Sequence, residues 1–198
     1  SYEEAEELAQ FGAKVLHPLT VEPARAYGVE VHVMPLDDPG SSTVIGPRPG
    51  FGGMRALTLL SPVALVRIRV SGGRQRPGVV AEVSRRLTVA GLNIVTLFTS
   101  STLLSVVLEA AHAAEGRKAL QPLAEQDRMV LDGPHRVGLL TVIGDGVLRD
   151  VAKLPSSILR HGEGLSATPR SVTLAIPSRE APRALVQMHR ALVERRGT

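Results

Sequence analysis

Apolar residues recur at two different periods along this chain, and the change of period divides it. In the first segment Ala5, Leu8 and Ala9 follow helical spacing behind Ser1-Tyr-Glu-Glu4, a Ser with Glu three residues on, which is a capping-box arrangement. This predicts a helix that stops at Gly12. Lys14-Val-Leu-His-Pro18 leads to a second short helix, expected to be capped at Thr20 and stopped at Gly28. Val29, Val31 and Val33 then alternate as a half-buried strand. Residues 35–49 are rich in Pro, Gly, Ser and Asp around a short strand at 43–45. Two Pro and three Gly surround Phe51 between 47 and 53, the clearest boundary between domains.

Beyond that boundary, strands alternate with helices. Residues 55–60 and 64–70 read as two strands separated by a Ser61-Pro62 turn. Pro77 stands where a helix accepts its first residue, because the missing N–H would be unpaired there anyway. Val80, Val83, Leu87 and Ala90 form the stripe that this helix buries, with Glu82, Arg85 and Arg86 on the wet face and Gly91 as the stop. Residues 92–99 and 103–109 are β-rich, 115–124 is a helix carrying Leu120 and Leu123, and 129–131 is a short closing strand. The result is one βαββαβ unit. A second copy follows: 137–143 is a strand ending at Gly144, as 64–70 ends before Gly72, and Leu159 takes the place of Leu87, both at a period of 72 residues. Its first helix contains Pro155, a helix breaker, and 162–171 reads as shorter and more broken than the strand pair of the first copy. Residues 171–176 form a strand, and the helix 181–194 presents Leu185, Met188 and Leu192. This copy lacks a fourth strand of its own, and the spare strand 55–60 fills the vacancy if the first unit is inserted within the second.

Composition narrows the chemistry. With 43% hydrophobic and 21% charged residues in 198, the chain suits folded, soluble domains built from Val, Leu, Ile and Ala, since aromatics are only 3%. Interleaved aromatics for stacking single-stranded nucleic acid are therefore lacking. Zero cysteines excludes disulfides, thiolate metal sites and a thiol nucleophile. The +4 net charge invites a nucleic-acid reading, but Arg is spread from Arg25 to Arg196 with only short pairs such as Arg85-Arg86 and Arg195-Arg196, so no basic stripe forms. No apolar run approaches the ~20 residues of a membrane span. The chain begins with Ser1 and no signal peptide follows, as expected of a cytoplasmic piece of a longer protein. The six histidines (17, 32, 112, 135, 161, 189) show no ligand spacing, so no metal site is expected. Gly144-Asp-Gly146 is a turn, not the longer Gly-rich phosphate fingerprint. Pro77-Gly78 is by itself either a plain turn into a helix or a helix start whose N–H groups at Gly78, Val79 and Val80 suit a carboxylate.

Ser1-Tyr-Glu-Glu-Ala5, Glu7-Leu-Ala9 and Phe11-Gly-Ala-Lys-Val-Leu-His-Pro18 resemble the last block of aspartate kinase catalytic domains, with Thr20, Pro23-Ala24 and 29–33 as its continuation. The two repeated units resemble the tandem ACT domains that follow in that family, with Gly78 through Leu92-Asn-Ile94 to Thr99-Ser100 as the best match. The fold this implies is α+β: two ferredoxin-like βαββαβ ACT modules preceded by a remnant of an α/β amino-acid-kinase domain. The expected divisions are 1–49 for the kinase remnant and linker, 55–60 for the strand completing the second module, 61–132 for the first module and 133–198 for the second.

The resemblance implies a parent enzyme that transfers a phosphoryl group from ATP to the side-chain carboxylate of aspartate, at the entry to lysine and threonine biosynthesis. The family's catalytic groups lie upstream, so this chain is expected to contain no catalytic residue and no cofactor, with ATP and Mg belonging to the parent. Lys14 is then the group that holds nucleotide from the edge of the site, and His17 supports the turn before Pro18. An amino-acid effector of the lysine or threonine class is expected at Gly78, Val79, Val80, Asn93, Ile94, Ser100 and Ser101, sitting between two modules. The family often carries Asp where this chain has Val95, and lysine-sensing members carry Glu where it has Ser101. A cationic effector would lose two charge-assisted bonds here, each about 1.5–3 kcal/mol. A homodimer through the first module is expected, with 92–99 near the contact. Two other readings stay open: a stand-alone amino-acid-binding regulatory subunit, and a decayed paralogue that only dimerises.

Overall fold

The computed structural model describes residues 1–13, 16–38, 40–47, 52–70, 77–126, 129–149 and 154–192. Its elements are α1 (Tyr2–Gln10), α2 (Pro18–Tyr27), β1 (Val31–Val33), β2 (Thr43–Ile45), β3 (Ala56–Val70), α3 (Val79–Val89), β4 (Ile94–Thr99), β5 (Leu103–Glu109), α4 (Ala113–Gln126), β6 (Met129–Ile143), α5 (Ser156–His161), β7 (Glu163–Ala167), β8 (Ser171–Pro177) and α6 (Ala181–Leu192). The chain divides into two compact units: one of residues 1–60, 139–174 and 182–198, the other of 61–138 and 175–181.

In the first unit the capping box at Ser1 is formed in both directions. The Ser1 hydroxyl accepts the Glu4 N–H at 3.2 Å, and the Glu4 carboxylate accepts from the Ser1 ammonium at 2.7 Å. Helix α2 starts one turn earlier than expected. Its cap is His17, whose Nδ1 accepts the Leu19 N–H at 3.3 Å, because Pro18 already supplies the helical φ at the first position and Thr20 falls inside. It ends at Gly28, left-handed at φ 65°. Strands β1 and β2 pair antiparallel, Val31 opposite Ile45, and a small core of Tyr2, Ala5, Val21 and Ile45 closes this segment. Thr58 on β3 donates to the Phe11 carbonyl at 2.7 Å. The same unit holds the strands β3, β6, β8 and β7 in that order, with the Thr141 and Thr173 hydroxyls bonded at 3.1 Å in its interior.

In the second unit the order is β4-β5-β3-β6, the arrangement a βαββαβ chain adopts when its two helices cover one face. Val66 lies opposite Val106, and Ile94 opposite Leu108, in antiparallel ladders. Ala64, Val66 and Ile68 alternate on one face of β3, as Leu104, Val106 and Leu108 do on β5. Val79, Val83 and Leu87 of α3 and Leu120 and Leu123 of α4 pack on them.

Several expectations change. The strands at 55–60 and 64–70 are one strand, β3, and those at 129–131 and 137–143 are one strand, β6, each with a cis X–Pro bond near its middle, Ser61–Pro62 and Gly133–Pro134. Pro62 is exposed, a position at which a strand accommodates proline, and the strand continues. Pro77 precedes α3, which starts at Val79 behind Gly78. The buried stripe is Val79, Val83 and Leu87, whereas Val80 and Ala90 are exposed. Strand β4 starts only at Ile94, because the Leu92 N–H closes the end of α3 on the Leu87 carbonyl at 2.9 Å. Pro155 does not break a helix: α5 begins just after it. The pair β7 and β8 is regular, at five and seven residues. The side chains of Leu159 and Leu192 lie outside what is described.

Candidate functional site

The sequence nominated seven residues for an effector, and they lie on α3, β4 and the β4–β5 turn of the second unit. Gly78 caps α3 in the left-handed conformation, φ 87°, with open space where a side chain would begin. It has no side chain to occupy the helix start, and its carbonyl accepts the Glu82 N–H at 2.9 Å. Val79 turns into the core and Val80 outward, so any ligand at this helix end meets the backbone and Val80. Glu82, one turn in, is bonded at 2.8 Å through both oxygens to Arg85 and at 2.6 Å to Arg86. The hydrogen bond from Arg85, reinforced by Arg86, holds its carboxyl at about 2, far below the ordinary carboxylate value.

Ser100 and Ser101 form the β4–β5 turn. The Ser100 N–H donates to the Leu103 carbonyl at 2.8 Å, and its Oγ accepts the Leu103 N–H at 3.1 Å. The register places this turn beside the end of β3 from which the chain proceeds to α3, since Arg69 pairs with Leu103 and Thr99 with Leu104. Asn93 and Ile94 stand at the other end, where Ile94 pairs with Leu108 and Leu108 with Ala64. At ~3.3 Å per residue, the span from Ile94 to Ser100 is about 20 Å. One small ligand cannot touch both groups within one chain. The structure therefore brings Ser100 and Ser101 to the end of the sheet that leads to Gly78, Val79 and Val80, and it separates Asn93 and Ile94 from them. Val95 and Ser101, the two positions lacking an acid, are half-buried and exposed respectively. Lys14 lies outside the described residues.

Sequence reasoning missed a repeat of the Ser100 turn. In the first unit Thr168 does the same work between β7 and β8: its N–H donates to the Ser171 carbonyl at 2.8 Å and its Oγ1 accepts the Ser171 N–H at 2.9 Å. The only sequence signal was a Ser or Thr three residues before a strand start, which is common in turns. There the loop after β6 closes on this turn, with the Gly144 and Gly146 N–H groups donating to the Arg170 and Pro169 carbonyls at 2.9 and 3.0 Å.

Two predictions follow from this geometry. Ser100→Ala is expected to cost about 1 kcal/mol in urea unfolding, with Ser100→Thr restoring it as Thr168 does naturally; an unchanged midpoint in Ser100→Ala would remove the hydroxyl from the turn. For Glu82, a carboxyl held low in the folded state adds stability fully present above its usual value near 4.5 and lost as pH falls toward about 2. The stability difference between the parent and Glu82→Gln should therefore shrink across that window. It should also shrink in high salt, because the pair faces solvent.

Among the described residues no group of three or more His, Asp or Glu side chains is placed to hold a metal ion, and no helix is long and apolar enough to cross a membrane. No protein-family model matches the chain. Over 97% of its length it is 23% identical to the bifunctional aspartokinase/homoserine dehydrogenase of Haemophilus influenzae, of which it spans 26%. Its fold matches E. coli aspartokinase III, solved with lysine and aspartate, with a TM-score of 0.70 and 23% identity over 97% of this chain and 45% of that one. It also matches the regulatory subunit of aspartate kinase from Thermus flavus, with a TM-score of 0.55 and 16% identity over 73% of this chain and 99% of that one. The chain thus spans about a quarter of the bifunctional relative and less than half of aspartokinase III. By sequence and by fold its relatives are aspartokinases, and the part of them that it resembles includes the regulatory region with its ferredoxin-like modules.

Proposed function

We propose that this chain is the regulatory region of an aspartate kinase, in which an end-product amino acid binds between two copies of the second unit. The observation that carries this reading is the ~20 Å separation along β4. Gly78, Val79, Val80, Ser100 and Ser101 gather toward one end of the sheet and Asn93 and Ile94 stand at the other. Strand β4 is the edge of that sheet, and a second copy running antiparallel along it sets the start of one β4 beside the end of the other. The effector's carboxylate then meets the N–H groups of Gly78, Val79 and Val80, and Asn93 and Ile94 of the second copy complete the site. The lysine bound in the structure of E. coli aspartokinase III supports an amino-acid effector. Val95 and Ser101 argue against the usual contacts to a second ammonium, which favours the threonine class over lysine.

The unit containing β7 and β8 serves a structural role in this scheme. Its loop amides at Gly144 and Gly146 are spent on its own turn, where an effector carboxylate would otherwise compete. The proposed divisions are those expected above: residues 1–49 as kinase remnant and linker, 61–132 and 133–198 as the two modules, and 55–60 completing the second. The activity of the parent is phosphorylation of aspartate by ATP in the cytoplasm. ATP and magnesium belong to that parent, with Lys14 reaching the nucleotide. This chain alone is expected to be inactive, which a coupled ADP-release assay on the chain and on a longer parent would check. Regulation acts by population shift, the effector favouring one dimer geometry.

Thermal-shift measurement against lysine, threonine, methionine and related amino acids tests the reading, with sedimentation for the dimer. An effector at a hundred times its dissociation constant should add about 2.7 kcal/mol of stability. Gly78→Asp should abolish the shift. A dimer that binds none of these amino acids would instead mark an effector-independent dimerisation module, in which Ser100 only closes its turn. Binding by a monomer would mark a stand-alone sensor whose site is not shared between copies.

A further inference from the structure

A cavity of about 450 Å³ opens in the first unit, remote in sequence from every residue of the effector site. Leu8, Ala9, Leu16 and Ile45 supply apolar wall, and Glu4 and Arg55 bring charge to it. Its volume falls within the roughly 300–1,000 Å³ typical of small-molecule sites. Glu4 is only 6% exposed. Its Oε2 is engaged by the Ser1 ammonium at 2.7 Å, but its Oε1, also buried, accepts no hydrogen bond. The Arg55 guanidinium stands 3.6 Å from Oε1, near enough for charge attraction yet too far for a hydrogen bond. A buried carboxylate oxygen in that condition keeps its desolvation cost until a donor reaches it. Here the cavity gives a donor room.

The charges select the ligand. A simple cation drawn to Glu4 would also face Arg55, and a simple anion drawn to Arg55 would face Glu4. A zwitterion with its two charges a few ångströms apart matches both. Apart from Thr43 the remaining wall is aliphatic, so a polar side chain would lose its water for few partners. We infer that this cavity binds a small aliphatic α-amino acid. Its ammonium donates to Glu4 Oε1, its carboxylate lies on the Arg55 guanidinium, and its side chain packs on Leu8, Leu16 and Ile45. This site shares no residue with the effector site, so either can fail without the other.

Calorimetric titration of the 198-residue chain with L-leucine tests the assignment, beside isoamylamine and isocaproate, which each lack one of the two charges. Saturable binding of leucine is expected, at least tenfold tighter than either analogue, since each lost charge-assisted bond is worth a factor of ten or more. Glu4→Gln, which keeps the shape of the cap, should weaken leucine about tenfold by the same count. Ala9→Phe should fill the cavity and abolish binding with the helical circular dichroism unchanged, whereas Gly78→Asp should leave it intact. Absence of leucine binding, equal binding of isoamylamine, or binding that survives Ala9→Phe would each overturn the inference. The analogue comparison decides the matter even if Ala9→Phe does not fold.

Discussion

Gly144→Ala is expected to lower the unfolding free energy by about 3 kcal/mol, the upper part of the range for overpacking a closed site. Gly144 follows β6, and the backbone of Gly53 to Arg55 runs directly against it. A methyl group there would meet the Gly53 carbonyl oxygen, and would stand 2.8 Å from the Arg55 nitrogen and 2.9 Å from the Gly53 carbonyl carbon. All three are main-chain atoms, so no side-chain rotation relieves the clash. Two hydrogen bonds would be strained in consequence, Arg55 N–H to the Ile143 carbonyl at 2.7 Å and Gly144 N–H to the Arg170 carbonyl at 2.9 Å. Gly146→Ala is the control. Its φ of 74° is left-handed but nothing stands within 4 Å, so only conformational strain of about 1–2 kcal/mol applies. Urea unfolding of the two variants checks this, and equal midpoints would mean that the approach to Gly53 has no energetic weight.

Leu87→Ala should cost about 2–5 kcal/mol, as truncations of fully buried leucines do. Leu87 is completely buried on α3 among Val83, Leu104, Leu108 and their neighbours, so the lost methyl groups leave a cavity that sheet and helices cannot both collapse into. The functional consequence is separable. Because α3 carries Gly78, the variant should also weaken any effector stabilisation more than its loss of stability alone accounts for. Val89→Ala, two residues along but 77% exposed, should change neither quantity measurably. Denaturant midpoints measured with and without effector distinguish the two effects, and a Leu87→Ala midpoint equal to that of Val89→Ala would contradict the packing described for α3.

Local chemistry made much of this fold readable. Ser1 with Glu4 marks the start of α1, and Gly28 and Gly91 mark helix ends, because caps and left-handed turns are decided within a few residues. The bounds of β5, at 103–109, follow from a run of Leu and Val between a turn and a helix start. The βαββαβ order follows from the change of hydrophobic period alone. The errors fall where a distant partner decides. Pro62 reads as a turn between two strands, yet a strand tolerates a missing N–H wherever no acceptor waits for it. Val79 and Val80 compete for the core on equal local terms. The sheet beneath α3 settles which of them is buried.

The candidate site divides in the same way. Residue types at Gly78, Asn93 and Ser100 identify which groups can meet an amino acid, since backbone freedom, an amide and a hydroxyl are properties of single residues. Which of them stand together is a matter of register. The pairing of Ile94 with Leu108 and of Arg69 with Leu103 puts Asn93 and Ser100 at opposite ends of one strand, and segments distant in the chain set that pairing. Likewise, Glu4 is visible in the sequence as a capping residue, but only folding buries its second oxygen beside a cavity with Arg55. Capping, turn formation and period act over a handful of residues and are written in the chain. Register, burial and the meeting of charges depend on which distant segments exclude water together, and the tertiary structure alone decides that.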